Sequence, residues 1–163
     1  MFSKILVAFD GSDHASVALD KAIELGKQGN ASIVIFYAVQ HFFRTARTFP
    51  IPFLSMSVNA YDLDEQSEQA VYNSHKSLGE RLLVEAKQKV EDAGLSCETE
   101  LVESTGPVEA AKDLVRDKGI DLVIVGAGGV HNALGRAVLG SVSTGIANNV
   151  CCNIMIIRAE CST

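Results

Sequence analysis

The stretch IDLVIVGAGGVHNALGRAVLGSVST, Ile120 to Thr144, runs from an unbroken apolar segment into a glycine-rich one and on towards a helix. Its part from Val125 to Thr144 holds five of the chain's 13 glycines. IDLVIV has the length of a strand and does not alternate, which suits a strand buried on both faces. Glycines directly after such a strand let the backbone turn sharply and pass close to whatever sits there. Gly140, just before Ser141, puts a residue without a side chain at the start of the helix predicted over about Ser141 to Asn149. Amides at a helix N-terminus lack intrahelical partners and bind anions readily. Ser141, Ser143 and Thr144 add hydroxyl groups as candidate donors.

The same unit recurs along the chain. KILVAFD, Lys4 to Asp10, is a second unbroken apolar run, followed by the punctuation DGS. Ser12 is a candidate N-cap, and Ala15, Ala18, Leu19, Ala22, Ile23 and Gly26 recur at helical spacing before Gly29 stops the helix. ASIVIFYAV, Ala31 to Val39, reads as another buried strand. A long helix is predicted from about Asp62 to Ala93, with Asp62 and Glu65 resembling a capping box. Its inward positions are taken as Val71, Leu78, Leu82, Ala86 and Val90, and Gly94 as its stop. SCETELVES, Ser96 to Ser104, alternates weakly, as an edge strand does. Gly106-Pro107 opens the next helix, since proline is favourable at the first helical position, and Gly119 ends it. CNIMIIR, Cys152 to Arg158, is the last strand, expected at a sheet edge. Strands alternating with helices predict an α/β fold, a doubly wound parallel sheet with helices on both faces, in a single domain over residues 1–163. Residues 40–61 break the pattern: they carry four of the seven phenylalanines and read as an ordered loop, a lid or a contact surface.

Composition narrows the function. A net charge of −6 argues against a general nucleic-acid or anionic-membrane binder. No run reaches the roughly 18 apolar residues of a membrane span, and the N-terminus reads as a strand, so a cytoplasmic location is expected. Cys97, Cys151, Cys152 and Cys161 form no CxxC and read as buried or edge thiols. His14, His41 and His75 are scattered and read as surface side chains, and Arg44 and Arg47 as a solvated loop face.

In open α/β sheets ligands bind beyond the carboxyl ends of the strands, where the strand order reverses. That directs attention to Asp10 and Gly126. Asp10 can accept hydrogen bonds from a ribose or base, or cap the helix behind it. Known phosphate motifs fit poorly. GxGxxG fails at His131, and GxxxxGK[ST] fails because Ser141 stands where lysine is required. The glycines then serve either a phosphate or tight turns and close packing.

VAFDGS at the first strand tip, GPVEAA before the third helix and the GxxG…GS spacing after the fourth strand resemble the universal stress proteins of the ATP-binding type. The resemblance covers nearly the whole chain. It implies a five-stranded sheet in order 3-2-1-4-5, adenine nucleotide alpha hydrolase-like, usually in a homodimer. Gly126 and Gly129 match the first glycine pair of the family's G-x2-G-x9-G-[S/T], and Gly140-Ser141 the last. Val130 to Leu139 make ten intervening residues, one more than the pattern. Ala127 and Gly128 stand where a long polar residue is common, and His131, Asn132 or Arg136 are candidates for that contact. By resemblance, Asp10 meets ribose or base, and Ala8, Ala38 and Val125 line the adenine pocket. Gly126, Gly129, Gly140, Ser141 and Val142 then meet phosphate and ribose, with His131 a candidate phosphate contact.

Three functions stay open. The first is a regulatory protein binding ATP, or AMP or ADP, with Mg²⁺ accompanying the phosphates. The second is a slow ATP hydrolase or nucleotidyl-transfer enzyme, against which the missing lysine argues. The third is a nucleotide-free dimerising module. A homodimer is expected through Cys152 to Arg158, an apolar edge strand that invites pairing.

Overall fold

The computed structural model describes residues 1–39, 65–103, 106–128 and 139–159. Nine elements alternate along them: β1 (Lys4–Ala8), α1 (Asp13–Gly29), β2 (Ser32–Ala38), α2 (Glu65–Asp92), β3 (Cys97–Val102), α3 (Pro107–Lys118), β4 (Leu122–Gly126), α4 (Ser141–Asn149) and β5 (Asn153–Ile157). The strands form one sheet in the order β3-β2-β1-β4-β5, with every neighbouring pair parallel. The chain winds from β1 out to β3, then returns to β4 beside β1. The reversal therefore lies between β1 and β4, where Ala8 pairs with Val125.

The unbroken apolar runs are explained by two covered faces. Ile5 and Val7 of β1, Ile33 and Ile35 of β2 and Leu122 and Ile124 of β4 pack under α1 and α2. Leu6, Val34, Phe36, Val123 and Val125 point the other way, against Ala110, Ala111 and Val115 of α3 and Ile146 of α4. Every one of these strand residues is buried.

Local signals set most helix ends. Ser12 caps α1, its hydroxyl accepting the Ala15 amide at 3.2 Å. Gly106 caps α3 ahead of Pro107, and Gly119 ends it in the left-handed conformation at φ 64°. The end of α1 differs from expectation: Gly29 is its last helical residue, and the left-handed stop is Asn30 at φ 52°. Asparagine tolerates that conformation better than most residues. The inward face of α2 also needs correction. Leu83, Ala86 and Val90 are buried, whereas Val71 and Leu78 stand 37% and 39% exposed. Asp62 and the stretch 40–61 lie outside the described residues, while Glu65, the other member of the expected capping box, is the first residue of α2.

Candidate functional site

Four of the residues singled out for a ligand gather on one side of the sheet at its carboxyl end. Ala8 ends β1, Ala38 ends β2 and Val125 is the penultimate residue of β4. Parallel register brings Ala8 beside both Phe36 and Val125. All three side chains belong to the cluster under α3 and α4, and Val142 from the first turn of α4 joins them. Val102 at the end of β3 and Val108 at the start of α3 pack there too. Val108 was not among the ligand candidates read from the sequence. Its position directly after Gly106-Pro107, a helix start facing the strand ends, was the available signal.

Beyond these apolar residues lies the N-terminus of α4. Gly140 caps it in extended backbone, φ −62° and ψ 155°, with no side-chain bond to the helix and no acidic residue in the first turn. The Gly140 amide donates to the Ala127 carbonyl at 2.8 Å, and the Gly140 carbonyl accepts the Thr144 amide at 3.0 Å. The amides of Ser141, Val142 and Ser143 have no carbonyl to reach within the helix. They form the positive end of the helix dipole, suited to an anion. The Ser143 hydroxyl is not one of the donors offered outward. It is buried and donates to the Gly140 carbonyl at 2.9 Å, with the Ala127 carbonyl at 3.4 Å.

Asp10 follows β1 and is half-buried. Its Oδ1 accepts the Ser12 amide at 3.0 Å, so it braces the entry to α1. Gly11 between them sits at φ 78°, and a Cβ there would meet Leu82 of α2 at 3.0 Å. Tyr37 feels the carboxylate: burial first, then the charge of Asp10, pushes its phenol above the ordinary value. Gly126 has a packing reason of its own. A Cβ on it would stand 2.8 Å from the backbone carbon of His14 and 3.0 Å from the Ala15 nitrogen. Its bareness thus lets β4 close on the first turn of α1.

His14 is more than a surface side chain: its Nδ1 accepts the Ala159 amide at 2.8 Å. Cys97, Cys151 and Cys152 are free thiols, and burial pushes Cys97 up to about 11, which leaves little reactive thiolate. Gly129 and His131 lie outside the described residues, as do Asn132, Arg136, His41, Arg44, Arg47 and Cys161. Among the described residues, no group of three His, Cys, Asp or Glu could hold a metal ion, and no helix is long and apolar enough to cross a membrane.

The parallel sheet, its reversal between β1 and β4 and the helices on both faces define the adenine nucleotide alpha hydrolase-like fold. The sequence profile of the universal stress protein family matches residues 1–158, and the chain belongs to that family. It is 30% identical over 158 residues to the universal stress protein YxiE of Bacillus subtilis, covering 97% of this chain and 100% of the relative. Among solved structures it is similar to the universal stress protein UspA from Lactobacillus plantarum, with TM-score 0.74, 21% identity and coverage of 96% and 97%. A universal stress protein in complex with cAMP matches with TM-score 0.61 at 24% identity, covering 98% of each chain. A family protein from Arabidopsis thaliana with AMP bound matches with TM-score 0.63 at 17% identity, covering 97% of this chain and 92% of the other. At these identities the solved structures speak to the fold.

Proposed function

We propose that this chain binds an adenine nucleotide, ATP or its shorter relatives ADP and AMP, and acts as a stress-response regulator through that binding. One observation carries the reading: a patch of small and branched apolar side chains, Ala8, Ala38, Val125 and Val142, ends against a helix N-terminus with no side-chain cap. A flat apolar base suits the first, and a phosphate the second. The cAMP and AMP complexes of fold relatives support the same assignment. In this reading Ala8, Ala38 and Val125 flank the adenine, and Asp10 accepts from the ribose or base. Gly126, Gly129, Gly140, Ser141 and Val142 meet ribose and phosphate, with His131 a further phosphate contact. Mg²⁺ enters on the nucleotide's own phosphates rather than on a protein cluster. We also propose a homodimer, because among the described residues β5 pairs only with β4, and its other edge suits a second copy. Sedimentation of the nucleotide-free chain as a monomer at micromolar concentration would remove that part.

Titration calorimetry with ATP and AMP tests the binding. Gly140→Val is expected to abolish it while the chain still folds, since φ −62° and ψ 155° are ordinary for a residue with a side chain and a branched group at the cap crowds the approach of an anion to the amides. Asp10→Ala is expected to weaken it by about 1–3 kcal/mol, the range for a hydrogen bond to a charged group. Absence of heat with the unaltered chain would favour the nucleotide-free module, for which the packing of Gly126 against His14 already supplies a ligand-independent reason. Hydrolysis near the median enzyme rate of about 10 per second would replace the regulator with an enzyme.

A further inference from the structure

We infer that His14 is a positioning residue for the amides at the N-terminus of α4, acting through the carboxyl end of β5. The two sites are joined by a short run of main-chain bonds. Nδ1 of His14 accepts the Ala159 amide at 2.8 Å. Two residues earlier, the Ile157 carbonyl accepts the Ala127 amide at 2.7 Å. The Ala127 carbonyl in turn accepts the Gly140 amide at 2.8 Å, which fixes the residue that caps α4. His14 is also pressed onto the strand that leads into this run, because a Cβ on Gly126 would stand 2.8 Å from its Cβ.

The arrangement has a mechanical consequence. β5 is an edge strand, so one neighbour alone holds it within the sheet. Its carboxyl end would fray without a second attachment, as the ends of edge elements do. His14 provides that attachment from α1, an element packed against β4 and β5 rather than part of the sheet. A fixed Ile157 carbonyl fixes Ala127, and a fixed Ala127 carbonyl sets where Gly140 stands. The three amides of α4 that lack an intrahelical partner are then held in place before any anion arrives, which is the condition for strong binding by preorganised donors.

An imidazole nitrogen that accepts carries no proton, so the hydrogen of the neutral ring is on Nε2. Asparagine can place its Oδ1 where Nδ1 stands, whereas alanine has no acceptor and glutamine reaches about one bond too far. These variants separate the role of the acceptor from the bulk of the ring.

The test is amide hydrogen exchange by NMR on the full chain without nucleotide. His14→Ala and His14→Gln are expected to exchange faster at Ala159, Ala127 and Gly140 by roughly tenfold, the size that one hydrogen bond's net contribution allows. Amides at the distant β2–β3 edge, Ile33 in β2 and Val39 just after it, keep their rates, and His14→Asn restores all three protected amides. Faster exchange at Ala159 alone would overturn the inference, since His14 would then be a local tie. An equal rise across β2 and β3, or an asparagine variant as unprotected as alanine, would overturn it as well. The ligand arm rests on the nucleotide reading: His14→Ala weakens ATP binding severalfold and His14→Asn does not. If the unaltered chain binds no ATP, that reading fails, and the exchange rates still decide the role of His14.

Discussion

The two ends of the sheet handle their polar groups in opposite ways. At the amino ends of the strands, side chains satisfy nearly everything in reach. Asp121, just before β4, accepts the Ser3 amide at 2.8 Å, the Ser3 hydroxyl at 2.7 Å and the Lys4 amide at 3.1 Å. Asn153 donates to the Asp121 carbonyl at 3.1 Å and ties β5 to the same point. Glu98 lies between Lys118 at 2.8 Å and Lys4 at 3.4 Å, and Lys118 also reaches Glu100 at 2.8 Å. These contacts span β1, β3, β4, β5 and α3, and they fix the strands in register.

At the carboxyl ends the helix N-termini differ among themselves. α1 is closed by its own residues: Ser12 and Asp10 take amides, and Asp13 faces the dipole. α3 has Pro107, which removes one donor, and Glu109 in its first turn. α4 has neither a side-chain cap nor an acidic residue. A fold that caps one helix twice has no physical need to leave another bare for stability. Polar partners at the amino end tie the elements together, whereas among the described residues no side chain caps α4, the helix end at which we propose that an anion binds.

The largest expected effect tests where α1 and β4 meet. Gly126→Val adds a branched side chain whose first carbon alone would stand 2.8 Å from the His14 backbone carbon and 3.0 Å from the Ala15 nitrogen. Overpacking of this kind costs about 3 kcal/mol, because backbone cannot swing aside as a side-chain tip can. Urea denaturation is expected to show that loss in the nucleotide-free chain. An unchanged midpoint would mean that α1 does not close on β4, and Gly126 would then be bare for a ligand alone.

The amino end gives the next effect. Asp121→Ala removes the acceptor of three bonds, two of them from the exposed Ser3 where water can take its place, and is expected to cost about 1 kcal/mol at neutral pH. Partial burial raises the Asp121 carboxyl, but the bonds from Ser3 and Lys4 outweigh it and hold the group below the ordinary carboxylate value. The sign follows from that direction. A lowered folded value contributes stability above the unfolded value, about 3.9, and the contribution is lost as pH falls through the folded one. The gap between the unaltered chain and Asp121→Ala should therefore be constant above about pH 5 and close on acidification. A gap that widens in acid would contradict the assigned bonds.

Much of this architecture was legible in the residues because the signals are local. Unbroken apolar runs marked β1, β2 and β4, Gly106-Pro107 marked the start of α3, and Gly140-Ser141 marked that of α4. The inward face of α2 was misread for a geometrical reason. Steps of four residues advance about 40° beyond a full turn each time, so a stripe from Val71 through Leu78 to Val90 drifts around the helix. The true face is centred on Leu83, Ala86 and Val90. Of the site, Ala8, Ala38, Val125 and Val142 came from the family resemblance, and the strand order brings them into one cluster. The buried role of Ser143, the contact of Gly126 with His14 and the bond from Ala159 to His14 did not. The contacts of His14 with Gly126 and Ala159 join residues far apart in the chain, which neither periodicity nor spacing carries, and the Ser143 hydroxyl turns back on Gly140 and Ala127 rather than outward.

The smallest expected effect is the sharpest for the comparison between helix ends. Gly140→Asp would give α4 the kind of cap that α1 already has. The backbone at φ −62° and ψ 155° is ordinary for a capping residue, close to Ser12 at φ −71° and ψ 162°. An aspartate there can accept an amide of the first turn and place its charge on the dipole's positive end, together worth about 0.5 kcal/mol over glycine. The chain should therefore become slightly more stable in urea. ATP binding should fall sharply, because the carboxylate occupies the amides and repels a phosphate. Stability and binding moving in opposite directions is the signature of an N-terminus kept open for an anion. A variant that gains stability and binds ATP as before would place the phosphate elsewhere, and one that loses stability would show that the bare cap serves the fold.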